Sequence, residues 1–271
     1  MQNATRTILD EIVAARARRV RQARARVPLE ALARAAEART DFRSFSNSLS
    51  AGGIRVIAEM KKASPSAGLL RDEYAPGALA RDYEASGATA LSVLTEEDYF
   101  QGSLDHLREA RTAARLPVLR KDFIIHSYQV YESAARGADA LLLIVAALAN
   151  ELLRELIELS QRLKVAALIE VHTENELRRA LDAGAEIIGV NNRDLKTLEV
   201  KLETSLRLRE KIPSRCLTVT ESGIKTAADL KRLSAAGFHA ALIGEWFMRS
   251  GDPGRALADL LAGARDNGMA K

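Results

Sequence analysis

The segment T-E-N-E-L-R-R-A-L-D-A-G-A-E-I-I-G-V-N-N-R, residues 173–193, contains one complete unit of the fold. It opens with a helical pattern over 173–183 and stops at Ala183-Gly184-Ala185. It then enters an apolar run at Ile187 and finishes in polar residues, Asn191-Asn192-Arg193. A glycine just past a helix takes up the left-handed backbone that turns the chain toward a strand. The same stop recurs as Ser86-Gly87-Ala88, Arg136-Gly137-Ala138 and Ala236-Gly237-Phe238, each directly before another apolar run. The recurrence marks a helix-to-strand unit used several times over.

Outward from this unit, short runs rich in Val, Ile and Leu begin near Ile54, Ala90, Val118, Ala140, Ala166, Ile187, Leu217 and Ala240. Helical patterns lie between them, over 78–86, 129–136, 150–163, 173–183 and 226–236. Strands separated by crossover helices pair in parallel and with one hand. Eight consecutive units predict a (β/α)8 TIM barrel. An open doubly wound sheet competes, but it wants a glycine-rich phosphate turn after the first strand, and no G-x-G-x-x-G or P-loop stands there. Before the first strand, residues 5–40 read as helical, with Pro28 opening a second helix in its first turn, where a missing N–H costs nothing. The expected organisation is one domain over 1–271, with a helical N-terminal extension over 1–50 and the barrel over 51–271.

Composition agrees with a folded globular chain, hydrophobic residues making up 47% and charged residues 28% of the 271. A net charge of +4 gives only a faint field over a chain this long, so a nucleic-acid partner is not expected. The basic excess gathers at Arg16, Arg18, Arg19, Arg21, Arg24 and Arg26, read as a solvated face and flank of the first helix. Asp10 and Glu11 within the same segment argue against a transit peptide. No apolar run approaches the roughly 20 residues that span a bilayer, and the expected location is the cytoplasm. The lone cysteine, Cys216, leaves no disulfide framework or multi-cysteine metal site and reads as a buried bystander.

In a barrel the chemistry sits at the C-terminal ends of the strands. The first run ends Ile57-Ala58-Glu59-Met60-Lys61-Lys62, the third Leu119-Arg120-Lys121-Asp122 and the fifth Leu168-Ile169-Glu170. The sixth ends Gly189-Val190-Asn191-Asn192-Arg193, the seventh Thr220-Glu221-Ser222-Gly223 and the eighth Ile243-Gly244-Glu245. Alternation puts Glu59 and Lys61 on one face and Lys62 on another. Each residue alone reads equally well as a rim salt bridge. Two lysines, two glutamates, Asn191 and Ser222 converging on one mouth would be costly to desolvate without a use. Burial and neighbouring charge there draw pKa values toward neutrality, as acid–base work requires. That chemistry needs no metal, and the histidines (106, 126, 172 and 239) have no ligand spacing and read as surface or structural. Ser222-Gly223 and Gly244 are small enough for a phosphate to approach backbone N–H groups, or equally for tight turns.

Five segments together resemble the indole-3-glycerol phosphate synthase family. They are I-A-E-M-K-K-A-S-P-S at 57–66, L-R-K-D-F-I at 119–124, L-I-E-V-H at 168–172, G-V-N-N-R-D-L at 189–195 and T-E-S-G-I at 220–224. The resemblance implies a decarboxylating lyase of tryptophan biosynthesis. Its substrate, 1-(2-carboxyphenylamino)-1-deoxyribulose 5-phosphate, closes to indole-3-glycerol phosphate with loss of CO2 and water and without cofactor or metal. It also implies roles. Lys121 is the general acid at the ribulose carbonyl, Glu170 acts in proton removal and dehydration, and Lys61 meets a substrate carboxylate or phosphate and is the second candidate for the acid, the division between the two lysines staying open. Glu59 positions Lys61, and Asn191 and Ser222 supply hydrogen bonds. Arg193 orients neighbouring carboxylates, Ser64 supports the loop after the first strand, and Gly223 and Gly244 offer N–H groups to phosphate. Phe123, Ile124 and Leu142 are expected to line a slot for the aromatic ring.

One departure stands out: some members have serine after the last glycine, where this chain has Glu245. A carboxylate beside a phosphate repels it, so either Glu245 points away or the register there is off by one. The expected partner is a small phosphorylated substrate alone, acted on by a monomer or weak homo-oligomer. A phosphoribosylanthranilate isomerase would need an acid–base pair of cysteine and aspartate, and the first strand has no cysteine. A silent scaffold barrel would have no use for the lysines and glutamates at the strand ends, and RNA binding through the arginine-rich helix predicts a steep salt dependence of retention on a polyanion.

Overall fold

The computed structural model describes residues 7–50, 52–194 and 197–265. Eight strands run as β1 Arg55–Met60, β2 Ala90–Leu94, β3 Val118–Lys121 and β4 Ala140–Ile144, then β5 Ala166–Val171, β6 Ile187–Asn191, β7 Leu217–Glu221 and β8 Ala240–Ile243. They close into a barrel in which every neighbouring pair is parallel and β8 returns to β1. Seven strands begin where the apolar runs predict, and β1 begins one residue after the expected Ile54. The four helix-stop glycines, Gly87, Gly137, Gly184 and Gly237, have φ of 94°, 92°, 88° and 90°. A side chain at any of them would be strained, which is why the stop repeats as glycine.

Two shells of apolar side chains follow from strand alternation. Ile57, Leu119, Leu142, Leu168, Ile187 and Val219 point inward and fill the barrel. Val56, Leu91, Leu141, Ile169, Ile188 and Ala241 point outward and meet the helices. A fully buried side chain of this size contributes roughly 1.5–3 kcal/mol. The floor of the barrel is closed by α3 (Phe45–Ser50), an element the sequence reading did not anticipate, whose Phe45 and Leu49 join the inner shell.

The N-terminal extension forms α1 (Ile8–Arg26) and α2 (Leu29–Glu37). Thr7 and Asp10 make a reciprocal capping box that starts α1. Residues 5 and 6 of the expected helix, and residue 51 at the expected barrel boundary, lie outside the described residues. Pro28, expected in the first turn of the second helix, is its N-cap in extended conformation (φ −61°, ψ 144°), one residue earlier. The arginine-rich face is not uniformly solvated as expected. Arg16 is buried and reaches Glu97 at 2.5 Å and Asp122 at 2.6 Å, and Arg19 pairs with Asp98, so these two pin α1 to the barrel. Arg18, Arg21 and Arg26 do face solvent.

Asp139, directly before β4, anchors the lower end. Its Oδ1 accepts from Arg39 Nη2 at 2.6 Å and from the Arg43 backbone N–H at 3.0 Å. Its Oδ2 accepts from Arg111 Nη1 at 2.5 Å and from the Val118 N–H at 3.0 Å. Cys216 is buried, its thiol against the Ala185 carbonyl, and burial pushes its pKa up. Among the described residues no helix is long and apolar enough to cross a membrane.

Candidate active site

Continuing each inward row one step beyond the barrel core places polar side chains at the mouth. Ile57 is followed two residues on by Glu59, Leu119 by Lys121, Leu168 by Glu170, Val219 by Glu221, and Gly189 by Asn191. Strand registry sets them side by side, Glu170 level with Gly189 and Asn191 level with Glu221.

Lys121 stands at the centre of this group. Its Nζ lies 2.9 Å from Glu170 Oε2 and 3.2 Å from Glu221 Oε2. Glu170 Oε1 accepts from Asn191 Nδ2 at 3.1 Å and has His172 Nε2 3.4 Å away. Asn191 Oδ1 in turn accepts from the Arg193 backbone N–H at 3.0 Å. A second pair sits beside the first, Lys61 Nζ 2.8 Å from Glu59 Oε1. Two glycines make room for these carboxylates. A Cβ at Gly189 would come within 2.4 Å of Glu221 Oε1, and one at Gly244 within 2.3 Å of Glu59 Oε1.

The electrostatics separate the two carboxylates that share Lys121. Burial alone would raise Glu170, but the charges of Lys121 and His172 and the hydrogen bonds from Lys121 and Asn191 hold it below the usual carboxylate range. Burial raises Glu221, Lys121 opposes, and the Glu170 charge adds to the rise, leaving it at about 7. Glu221 also keeps a buried Oε1 with no hydrogen-bond partner. Burial works to lower Lys121, and the charges of Glu170, Glu221 and Glu59 overcome it and raise it. A cation, an ionised base and a carboxyl poised near neutrality therefore touch at one point, the pattern from which acid and base assignments are read.

The remaining expected site residues take definite places. Ser64 is buried in a two-residue antiparallel ladder (Ala63–Ser64 with Gly68–Leu69), and its Oγ accepts from the Ala67 N–H at 3.2 Å, bracing the loop after β1. The ladder itself was not foreseen. Phe123 packs on the inner shell and tilts against Phe100 at 6.1 Å, and Leu142 lies in the same shell. Ile124 does not join them; it is buried in the outer shell facing the helices, because alternation after Phe123 turns it away. Ser222 and Gly223 are consecutive left-handed residues (φ 69° and 83°), making the sharp turn that ends β7. Leu195, the last residue of the 189–195 segment, lies outside the described residues.

Glu245 opens a short helix (Glu245–Arg249) after Gly244, and its charge is covered by Arg193 at 3.2 Å and Arg249 at 3.3 Å. Arg193 was expected to orient carboxylates, and Glu245 is the one it holds.

Two residues of the mouth were missed from sequence. Glu221 was seen as a rim residue but given no part, although the inward phase of Val219 points to it. His172 was read as surface or structural, yet it follows Glu170 by two and shares its face. His126, by contrast, caps the helix Ser127–Ala135, accepting from the Tyr128 N–H, and His239 hydrogen-bonds Thr218. A cavity of about 410 Å³ lies at the opposite end of the barrel, between α3 and the starts of β5 and β6. Its charged lining is Arg43, Asp139, Lys164 and Glu186, of which Arg43 and Asp139 are joined in the ion-pair and hydrogen-bond network that anchors the floor.

Similarity to known proteins identifies the family. Residues 9–260 match the family described as indole-3-glycerol phosphate synthase. The proteins of that name from Polaromonas naphthalenivorans and Chromobacterium violaceum are 49% and 48% identical to this chain, each over 93% of it and over 98% and 97% of their own lengths. Among solved structures, thiamine phosphate pyrophosphorylase from Pyrococcus furiosus aligns with a TM-score of 0.59 at 16% identity, covering 78% of this chain and 95% of its own. A mandelate oxidase aligns with a TM-score of 0.56 at 17% identity, covering 69% and 65%. These two likenesses speak for the barrel fold alone; with the sequence match over most of its length, the chain belongs to the indole-3-glycerol phosphate synthase family.

Proposed function

We propose that the mouth of the barrel carries out the decarboxylating ring closure of 1-(2-carboxyphenylamino)-1-deoxyribulose 5-phosphate to indole-3-glycerol phosphate, with the following division of labour. Lys121 gives a proton to the ribulose carbonyl oxygen as the ring carbon bearing the carboxylate attacks the carbonyl carbon. CO2 then leaves and its bonding electrons restore the aromatic ring. The new hydroxyl departs as water on protonation, and a carboxylate takes the proton whose loss forms the indole double bond. Glu170 is that base, with Glu221 beside it. No step calls for a cofactor.

The observation that carries this reading is Lys121 held within hydrogen-bond reach of both Glu170 and Glu221. An ammonium has three donors, so two go to these carboxylates and the third is left for a substrate oxygen. Lys61, held by Glu59, serves the anionic end of the substrate, and Asn191 fixes the Glu170 carboxylate. Phe123 and Leu142 offer an apolar wall to the ring. Backbone N–H groups at Gly223 and Gly244, with Ser222, receive the phosphate. Pairing of Glu245 with two arginines supports this, since a neutralised carboxylate repels phosphate less.

The same reading takes residues 1–50 and 51–271 as one domain, supported by Arg16 reaching buried Asp122 in the barrel. It takes the protein as a cytoplasmic monomer or weak homo-oligomer without a nucleic-acid partner. Among the described residues only three large apolar side chains are exposed, Leu29, Leu69 and Leu198, which supports weak self-association at most. The test is indole fluorescence on adding the substrate to wild type and to Lys121→Ala. Turnover in the wild type and its loss in the variant is the expected result. A wild type that makes no indole product would refute the reading.

A further inference from the structure

His172 occupies a position between two carboxylates. Thr173 caps the helix Glu174–Asp182, and Glu176 stands at its third position. A glutamate there ordinarily reaches back to the cap residue's own N–H. Here Glu176 Oε2 goes one residue further, accepting from the His172 backbone N–H at 2.8 Å and lying 3.1 Å from His172 Nδ1. That contact assigns the proton to Nδ1 and turns Nε2 toward the mouth. Nε2 is buried, lies 3.4 Å from Glu170 Oε1, and has no aligned hydrogen-bond partner.

We infer that His172 is a positioning residue for Glu170: gripped by Glu176, its imidazolium is the standing counter-charge that keeps Glu170 ionised when Lys121 turns to the substrate. The geometry gives the reason. Glu170 Oε2 depends on Lys121, the residue whose proton the reaction uses. Oε1 keeps Asn191, which is neutral, and His172, which supplies the remaining charge. Without His172, donation by Lys121 would leave a buried carboxylate with no cation and push it to take up a proton, which would disable it as a base. The groups facing His172 are Glu170 near the end of β5, Glu176 on the helix that follows and Glu221 on β7. All three are carboxylates, and they raise its pKa against the opposing effect of burial.

This inference rests on Glu170 acting as the base, and two measurements separate its failure from failure of that reading. The first uses the free enzyme and no substrate: imidazole NMR titration of His172 in wild type, Glu170→Gln and Glu176→Gln. His172 should titrate above the ordinary histidine value in wild type and lower in each variant. A titration unmoved by both substitutions overturns the proposal whatever the activity. The second is the pH profile of kcat for His172→Gln, which keeps a polar group at the site but no charge. The expected result is a fall in kcat of about tenfold with KM unchanged, and an acidic limb displaced to higher pH by roughly one unit, the lower end of what one nearby charge does to a carboxylate. A limb that stays in place overturns the proposal, whether kcat is retained or lost, because a residue of merely structural value would not move it.

Discussion

Asp139 at the floor of the barrel and Glu221 at its mouth are both almost fully buried carboxylates, and the chain treats them in opposite ways. Asp139 has four donors, two arginines and two backbone N–H groups, shared evenly between its oxygens. Glu221 has one lysine that it shares with Glu170, and one oxygen with no partner. A buried charge that is fully paired holds a structure in place. One left half-paired costs stability and stays ready to change its protonation state. The floor therefore secures α3 and the strand starts, and the mouth keeps its charges available for chemistry.

The strongest way to break this contrast is to remove the centre of the mouth. Lys121→Ala should lower kcat by about 10²–10⁴-fold, the usual range for an acid–base group, while circular dichroism stays that of wild type. Survival of the fold is expected because Glu221 already inclines toward holding a proton. A variant that unfolds would make Lys121 a structural residue like those around Asp139.

A smaller effect tests whether the spacing of the mouth matters. Gly189→Ala would bring a Cβ against Glu221 Oε1 and within 3.2 Å of Leu168 Cδ1. Overpacking of this kind costs roughly 1–3 kcal/mol. Displaced Glu221 should lower kcat about tenfold, read by the same fluorescence assay. The helix-stop Gly184 has open space for a Cβ but φ of 88°, so alanine there should lower thermal stability and leave kcat unchanged.

The smallest effect concerns pH. Glu221 is raised from 4.5 to about 7 in the fold. The folded state thus holds a proton that the unfolded state has released between those values, and stability falls as pH rises through that window. Glu221→Gln removes this slope. Between pH 5 and pH 8 the melting temperature of wild type should fall by a few degrees more than that of the variant. Equal falls would mean that Glu221 is as well satisfied as Asp139.

Much of this contrast was legible in the sequence, and the limits have physical causes. Strand starts were readable because each β-strand of the barrel is a short apolar run, four of them preceded by the stops at Gly87, Gly137, Gly184 and Gly237. Glu59, Lys61, Lys121, Glu170 and Asn191 were readable because so many polar and charged groups converging on one end of a barrel are costly to desolvate without a use. Glu221 and His172 were within reach of the same period-two argument, continued from Val219 and Leu168, but their worth depends on which strands are neighbours. α3 was not legible, since F-S-N-S-L-S is too short and polar to announce a helix that only becomes useful as a plug. Burial of Arg16 was hidden for a related reason: its partners Glu97 and Asp122 lie 81 and 106 residues away.

The most direct test of the division between floor and mouth measures kcat and the urea midpoint together on Glu170→Gln and Asp139→Asn. Glu170→Gln should lose about a hundredfold or more in kcat and keep its midpoint close to that of wild type. Asp139→Asn should lose about 3–5 kcal/mol of stability, as expected for breaking a buried ion pair, with kcat of the folded enzyme unchanged. Loss of stability in the first and of activity in the second would contradict the account.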